Sequence, residues 1–189
     1  MANLNAPSGF EAICSLDGTS VESTNTYEAA VGNSNAFFIG DALKLLTDSD
    51  STTGVPLVDV CATGSRPVGV MASVRPILSN LTLNYKPAST LAVVNVCDDP
   101  NTVFEIQSDG TAAHADVGEY TNITVSTAGS TVTGRSGMQL HESSVTSTAT
   151  SSLPLMILRL SPKPNNAFGA NAIMQVLLIT HIYRTATAV

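Results

Sequence analysis

The stretch Leu91–Thr111, LAVVNVCDDPNTVFEIQSDGT, constrains the fold more than any other part of the chain. Leu91–Val96 is an apolar, β-branched run. Asp98-Asp99-Pro100-Asn101 is dense turn chemistry, because proline fixes φ and short Asp and Asn side chains bond the nearby backbone. Val103–Gln107 then alternates, with Val103, Glu105 and Gln107 on one face and Phe104 and Ile106 on the other. A second turn follows at Ser108-Asp109-Gly110. The pattern predicts strand, tight turn and strand, a central β-hairpin or meander. Nothing in it has the makings of a reaction centre.

The remaining segments repeat that grammar. Residues 1–9 are small and polar and carry Pro7 and Gly9, which predicts an extended arm; residues 10–189 form a single β-rich domain. Phe10–Cys14 begins a strand that Asp17-Gly18 ends, and Thr26–Val31 makes another, anchored by Tyr27. Within AFFIGDALKLLT (36–47), Gly40-Asp41 punctuates the segment and favours a strand after it over a helix. Leu57–Cys61, Pro67–Val74 and the cleanly alternating Leu81–Tyr85 read as strands. Ala112–Gly118 allows one helical turn. Residues 121–152 are rich in Thr, Ser and Gly, with one short strand at Ile123 and Val125 and hydroxylated loop or edge over Ser143–Ser152. Leu153–Leu160 is a buried strand, and Ala172–Tyr183, long enough for a helix, is expected to close the chain as a strand in the sheet centre because it is β-branched and lacks caps. About ten short strands with frequent Gly, Pro and Asn turns predict an all-β barrel or sandwich.

Composition narrows the functions. The chain holds 43 Ser and Thr residues against eight Lys and Arg, and only 12% of it is charged, so the surface is hydroxyl-rich and weakly charged. A net charge of −7, with the eight cations scattered and never adjacent, argues against nucleic-acid binding, which needs a basic footprint. Met1–Phe10 has neither a basic n-region nor an apolar h-region, so no signal peptide is expected. The longest apolar run, Ile173–Ile179, is interrupted by Gln175 and falls far short of the ~20 residues that span a bilayer.

Catalytic and metal chemistry find little support. His114, His141 and His181 are the whole histidine inventory, and no pair has the spacing of a helical metal site. Cys14, Cys61 and Cys97 are odd in number and widely spaced, which predicts reduced, mostly buried thiols. Asp98 and Asp99 are neighbours in a turn and diverge, whereas carboxylates that share chemistry converge across a cleft; a turn-capping role is expected. Gly134-Arg135-Ser136-Gly137 is a Gly-flanked loop that could expose Arg135 to an anion or a partner carboxylate, but it has no P-loop ending and no nucleophile elbow. No nucleophile–base pair is found, so no enzyme activity, cofactor or metal is expected.

Several segments, taken in order, resemble the decoration (cement) proteins of tailed-bacteriophage heads. They are MANLNAPSGF at Met1–Phe10, Phe37–Leu45 (FFIGDALKL), Pro67–Val70, Asp98–Gly110 (DDPNTVFEIQSDG), Thr133–Leu140 (TGRSGMQL) and Pro164–Gly169 (PNNAFG). Together they span nearly the whole chain. Met71–Pro76 departs from the family, which carries aromatic residues there.

The resemblance implies a non-enzymatic, β-rich virion protein that binds the outer surface of the major capsid protein shell and clips neighbouring subunits as a homotrimer. It implies contacts through the arm (Asn3, Asn5, Pro7, Phe10) and through Arg135. A ligand that binds only the expanded shell stabilises that state by mass action. A second expectation keeps the virion and changes the role, to a head fibre or adhesion protein whose loops over 121–152 meet a host glycan or receptor.

Overall fold

The computed structural model describes residues 3–20, 23–78 and 80–184; Met1 and Ala2 of the expected arm lie outside them. Thirteen strands are present among the described residues: β1 (Glu11–Ser15), β2 (Asn25–Ala29), β3 (Ala42–Ser49), β4 (Pro56–Val60), β5 (Gly69–Val74), β6 (Ala92–Cys97), β7 (Thr102–Gln107), β8 (Thr111–Ala112), β9 (Tyr120–Thr124), β10 (Gln139–Thr146), β11 (Leu155–Leu160), β12 (Gly169–Ala170) and β13 (Ile173–Leu178). One 3-10 turn, His114–Asp116, is the helical turn expected before Gly118. The fold is all-β, as the turn-punctuated alternation predicts.

Two bodies share the chain. Strands β2-β4-β3-β5-β6 close into a five-stranded barrel, antiparallel except for one parallel contact between Glu28 in β2 and Leu57 in β4. Its interior is filled by Tyr27, Ala29, Leu43, Val58, Met71, Val94 and Val96, with Phe37 and Val68 from the connections. The other strands, apart from a short β8–β12 ribbon, form an antiparallel sheet in the order β1-β7-β13-β11-β9-β10. This sheet curls until Ser108, just past β7, bridges Leu140 in β10, and the Asp109 amide donates to the Leu140 carbonyl at 3.0 Å.

The bodies are welded by one apolar cluster. Ala42, Val70 and Cys97 of barrel strands, with Cys61 just past β4, pack against Phe104, Ile106, Leu140, Leu155, Ile157, Met174 and Val176 of the curled sheet. Phe10, at the root of the arm, joins them edge-on to Phe104, with centroids 5.9 Å apart. Burying side chains of this size stabilises by about 1.5–3 kcal/mol each. The largely apolar sequence of β13 follows from its place: flanked by β7 and β11, Met174–Leu178 is buried throughout, and its one polar residue, Gln175, bonds Arg159 and Glu105.

Three expectations are corrected. First, Leu91–Thr111 holds two strands and a turn, but not a hairpin. β6 pairs with β2 and β5 in the barrel, whereas β7 pairs with β1 and β13 in the sheet. The turn is the crossover between the bodies. Asn25 Nδ2 donates to both Asp98 oxygens at 3.0 Å, Tyr27 Oη donates to one at 2.7 Å, and the Asn101 carbonyl accepts the Leu16 amide at 2.9 Å. These bonds pull the two ends of the turn apart. Asp99 caps the turn as expected, accepting the Asn101 amide at 2.9 Å; Asp98 instead braces β2.

Second, Leu81–Tyr85 is turn and bend rather than strand. Its alternation has no buried face to satisfy: Leu81 is exposed, the Asn84 side chain reaches the Thr133 carbonyl, and Tyr85 stacks on Phe38. Third, the last strand stops at Leu178. Thr180–Arg184 leaves the sheet and crosses to the barrel, where the Ile182 amide donates to the Pro67 carbonyl at 3.0 Å. The Ser143–Ser152 region divides, its first part completing the eight-residue β10.

Candidate partner-binding surface

The root of the arm, the Gly40-Asp41 punctuation and the Arg135 loop meet at one junction. The Phe10 amide donates to the Gly40 carbonyl, the Ile39 amide to the Gly134 carbonyl and the Ser136 amide to the Ile39 carbonyl, all at 2.9 Å. The approach is so close that side chains cannot enter. A Cβ on Gly9 (φ +73) would lie 2.4 Å from Ser136 Cβ, and one on Gly40 (φ +94) would lie 2.7 Å from the Ser8 carbonyl. Both glycines therefore answer to space and to a left-handed backbone.

Asp41 organises the same junction. Its carboxylate accepts the Phe38 amide at 2.7 Å and bonds the Ser136 side chain. It is 4% exposed. Burial pushes its pKa up to about 6 against those two bonds. Three segments separated by about thirty and then ninety residues in sequence thus become one knot, which holds the arm's exit and the Arg135 loop in fixed relation.

The rest of the arm lies along the curled sheet. Gln107 in β7 acts as a template strand: its Nε2 donates to the Leu4 carbonyl at 2.7 Å and its Oε1 accepts the Ala6 amide at 3.1 Å. Asn3 Nδ2 donates to the carbonyls of Ala167 and Ala170 at 2.8 and 2.9 Å, and its Oδ1 accepts the Ala167 amide at 3.1 Å. Side-chain amides thus stand in for the backbone pairing of an added strand. Between these pins Leu4 stands out, 79% exposed.

The arm and loop residues read from the sequence have different fates. Asn5 is exposed, Pro7 half-buried, and Asn3 is spent on the Ala167–Ala170 turn. Phe10 is corrected: it is a core residue at 2% exposure and offers nothing to a partner, because its ring is consumed by Phe104. Arg135 is exposed, while its backbone is held by Ser130 and Ile39. Arg135 and Phe10 come together at the junction; Asn3 is tied to the 167–170 turn.

Local sequence pattern does not mark the exposed aliphatic side chains of the β5–β6 and β9–β10 connections. Leu78, Leu81 and Val132 are 94%, 70% and 88% exposed. Their loops are joined where Asn84 Nδ2 donates to the Thr133 carbonyl at 2.9 Å. The one local signal is the clean alternation of 81–85, which with no sheet to cover it leaves Leu81 in solvent. Isolated exposed apolar residues are ordinary, but several on mutually clamped loops mark a surface suited to a protein partner.

An open pocket of about 460 Å³ lies between the barrel and the sheet, with Phe38, Asp41, Lys44, Asp59, Cys61 and Met138 among its walls. Its polar groups are already engaged. Asp59 accepts from Asn33 and Asn35 at 2.9 and 2.8 Å and pairs with Lys44 at 3.5 Å, so its carboxyl stays below its ordinary range despite burial. Phe38 has Tyr85 stacked on it, and Gly129 packs so tightly that a Cβ would fall 2.3 Å from the ring. That leaves no open aromatic face for a sugar to stack on.

The remaining reactive groups are dispersed and bonded. His114 sits edge-on to Phe168, His141 bonds Ser143 at 2.9 Å, and His181 is buried against the barrel. All three cysteines are free; Cys61 and Cys97 are buried and Cys14 half-buried. Burial pushes the Cys61 thiol up to about 12 and raises Cys97. Glu105, buried in β7, pairs with Lys163 at 2.6 Å and accepts from Ser161 and Gln175. Although it is buried, those partners hold its carboxyl below the usual range.

Among the described residues no group of three or more His, Cys, Asp or Glu side chains is placed to hold a metal ion, and no helix is long and apolar enough to cross a membrane. Compared with known protein families, curated proteins and solved structures, the chain matches none.

Proposed function

We propose that this chain is a non-enzymatic virion protein, a decoration protein that binds the outer surface of the major capsid protein shell as a homotrimer and stabilises the expanded head. The observation that carries the reading is the kind of surface displayed. Leu4, Leu78, Leu81 and Val132 project from segments that hydrogen bonds clamp on both sides or to each other, and the exposed Arg135 shares the loop of Val132. Rigid aliphatic contacts lose little entropy on docking and suit a broad protein surface better than a small molecule. The segments that resemble head decoration proteins supply the arm, the Gly40-Asp41 turn and the Arg135 loop, and these meet at one junction.

The low-charge, hydroxyl-rich exterior lets many copies crowd a shell without mutual repulsion. The test is co-sedimentation of the purified protein with expanded capsids that lack it, beside analytical ultracentrifugation for the trimer. Saturable binding to expanded shells and not to unexpanded ones is the expected result. A protein that never associates with either shell sinks the proposal.

A further inference from the structure

The segment after β13 has a role that the capsid-binding reading does not use. Thr180–Arg184 leaves the curled sheet and is fastened across one end of the barrel, the end where β2 begins, β6 finishes and the chain enters β5. Ile182 packs its side chain against the barrel core. Its amide donates to the Pro67 carbonyl at 3.0 Å, Arg66 Nε donates to the Thr180 carbonyl at 3.4 Å, and Arg184 donates to Asn101 Oδ1 at 2.7 Å. Tyr183 Oη lies 2.8 Å from Tyr27 Oη, which donates onward to Asp98 at 2.7 Å. The turn that crosses between the bodies and the terminal segment are therefore one bonded network.

We propose that Thr180–Arg184 is a proton-released strap: it seals this end of the barrel while His181 is neutral and comes away when that imidazole takes up a proton. His181 is 0% exposed at the centre of the strap. It is wedged beside Tyr183, with ring centroids 5.5 Å apart, and its Nδ1 accepts the Tyr183 amide at 3.2 Å. An acceptor nitrogen that gains a proton cannot keep that bond, and a charge formed out of contact with water is costly.

The groups facing His181 are the Val68 backbone from the barrel, Asp98 and Asp99 from the crossover turn, and Arg184 from the strap itself. The carboxylates and the Val68 contact favour the imidazolium. Burial, the largest influence, and Arg184 oppose it, and the balance holds the ring below its ordinary 6.5. The sign follows: the strap's contribution is present above pH 6.5 and is lost as pH falls through the lowered value. Release uncovers Tyr27 and the barrel core without breaking a strand pair.

Hydrogen exchange of the full chain, corrected for intrinsic pH effects, tests this. Protection of the Ile182 and Tyr183 amides is expected to fall at least tenfold between pH 7.5 and pH 4.5, while Met174–Leu178 amides keep theirs. His181→Gln, an uncharged replacement, is expected to retain strap protection at pH 4.5. Loss of protection in that variant at the same pH as in the unchanged chain would overturn the proposal, because the carboxylates would then be responsible. So would a strap that opens only together with β13. Should the variant fail to fold, direct NMR titration of the His181 ring decides: its midpoint must coincide with strap release, and a midpoint displaced from it rejects the mechanism.

Discussion

The barrel and the curled sheet solve the same problem in opposite ways. The barrel β2-β4-β3-β5-β6 closes on itself and leaves no free edge strand, with a β2–β4 seam that rests on the pair Glu28–Leu57. Its cost is a crowded wall of connections, where Lys86 is fully buried with its Nζ bonded to the carbonyls of Asn33 and Asn35 and 4.6 Å over the Phe37 ring. The sheet keeps edges at β1 and β10 and is finished by distant segments: the arm on Gln107, Lys163 on Glu105, Asn3 on the 167–170 turn. The difference separates stability from recognition. Changes in the barrel interior and the shared core should cost folding, whereas changes in the arm laid on the sheet and in the exposed loops, Leu78 and Leu81 of the β5–β6 connection included, should cost binding.

The largest effect is expected where the two bodies meet. Phe104→Ala removes a ring at the centre of the shared cluster and should destabilise by about 4 kcal/mol in urea unfolding. Loss in one cooperative transition supports a single core; two separated transitions would split the molecule into independent units. Next, Lys86→Ala should cost about 2 kcal/mol, because it takes the donor from the Asn35 carbonyl, leaves the Asn33 carbonyl with the Ser89 amide alone, and opens a void beside Phe37. Circular-dichroism melts check it, and a neutral result would mean that the barrel wall tolerates what its burial says it cannot.

Asp41 gives a pH signature at the junction. Its folded pKa is raised from 3.8 to about 6, so its contribution is fully present below pH 3.8 and lost as pH rises through 6, a swing of about 3 kcal/mol. Asp41→Asn should flatten that part of the stability–pH curve while keeping an acceptor for the Phe38 amide. An unchanged slope would assign the pH dependence elsewhere.

Smaller effects belong to the sheet side. Gln107→Ala should cost about 1.5 kcal/mol and deprotect the Ala6 amide in hydrogen exchange, because the arm loses its template. Arg135→Ala should change stability by less than about 0.5 kcal/mol, since its side chain is solvent-facing. The same change should weaken shell binding roughly tenfold, the scale of one lost charge-assisted contact. Equal losses of stability and binding for Arg135→Ala would erase the division between the two halves.

Much of this architecture was legible in local pattern. The turn chemistry at Asp17-Gly18, Gly40-Asp41 and Asp98–Asn101 and the β-branched content of the last apolar run announced short strands and an all-β fold, although Phe38, Leu43 and Leu46 also fit a helical stripe. Period and turn residues are properties of neighbours in sequence, so the chain alone carries them. Pairing is not such a property. Whether β6 folds back on β7 or crosses to another sheet depends on Asn25, Tyr27 and Leu16, which lie more than seventy residues away.

The candidate surface divides the same way. Arg135's exposure was readable from its glycine-flanked loop, whereas the burial of Phe10 was not, because only packing against Phe104 decides whether an arm's aromatic faces outward or inward. By itself the sequence determined the element type, the turn positions and a weakly charged, hydroxyl-rich surface. Tertiary structure alone decided which strands pair, which three glycine-bearing segments meet, and that the terminal segment closes the barrel, since each rests on long-range contacts whose free energy no local window contains.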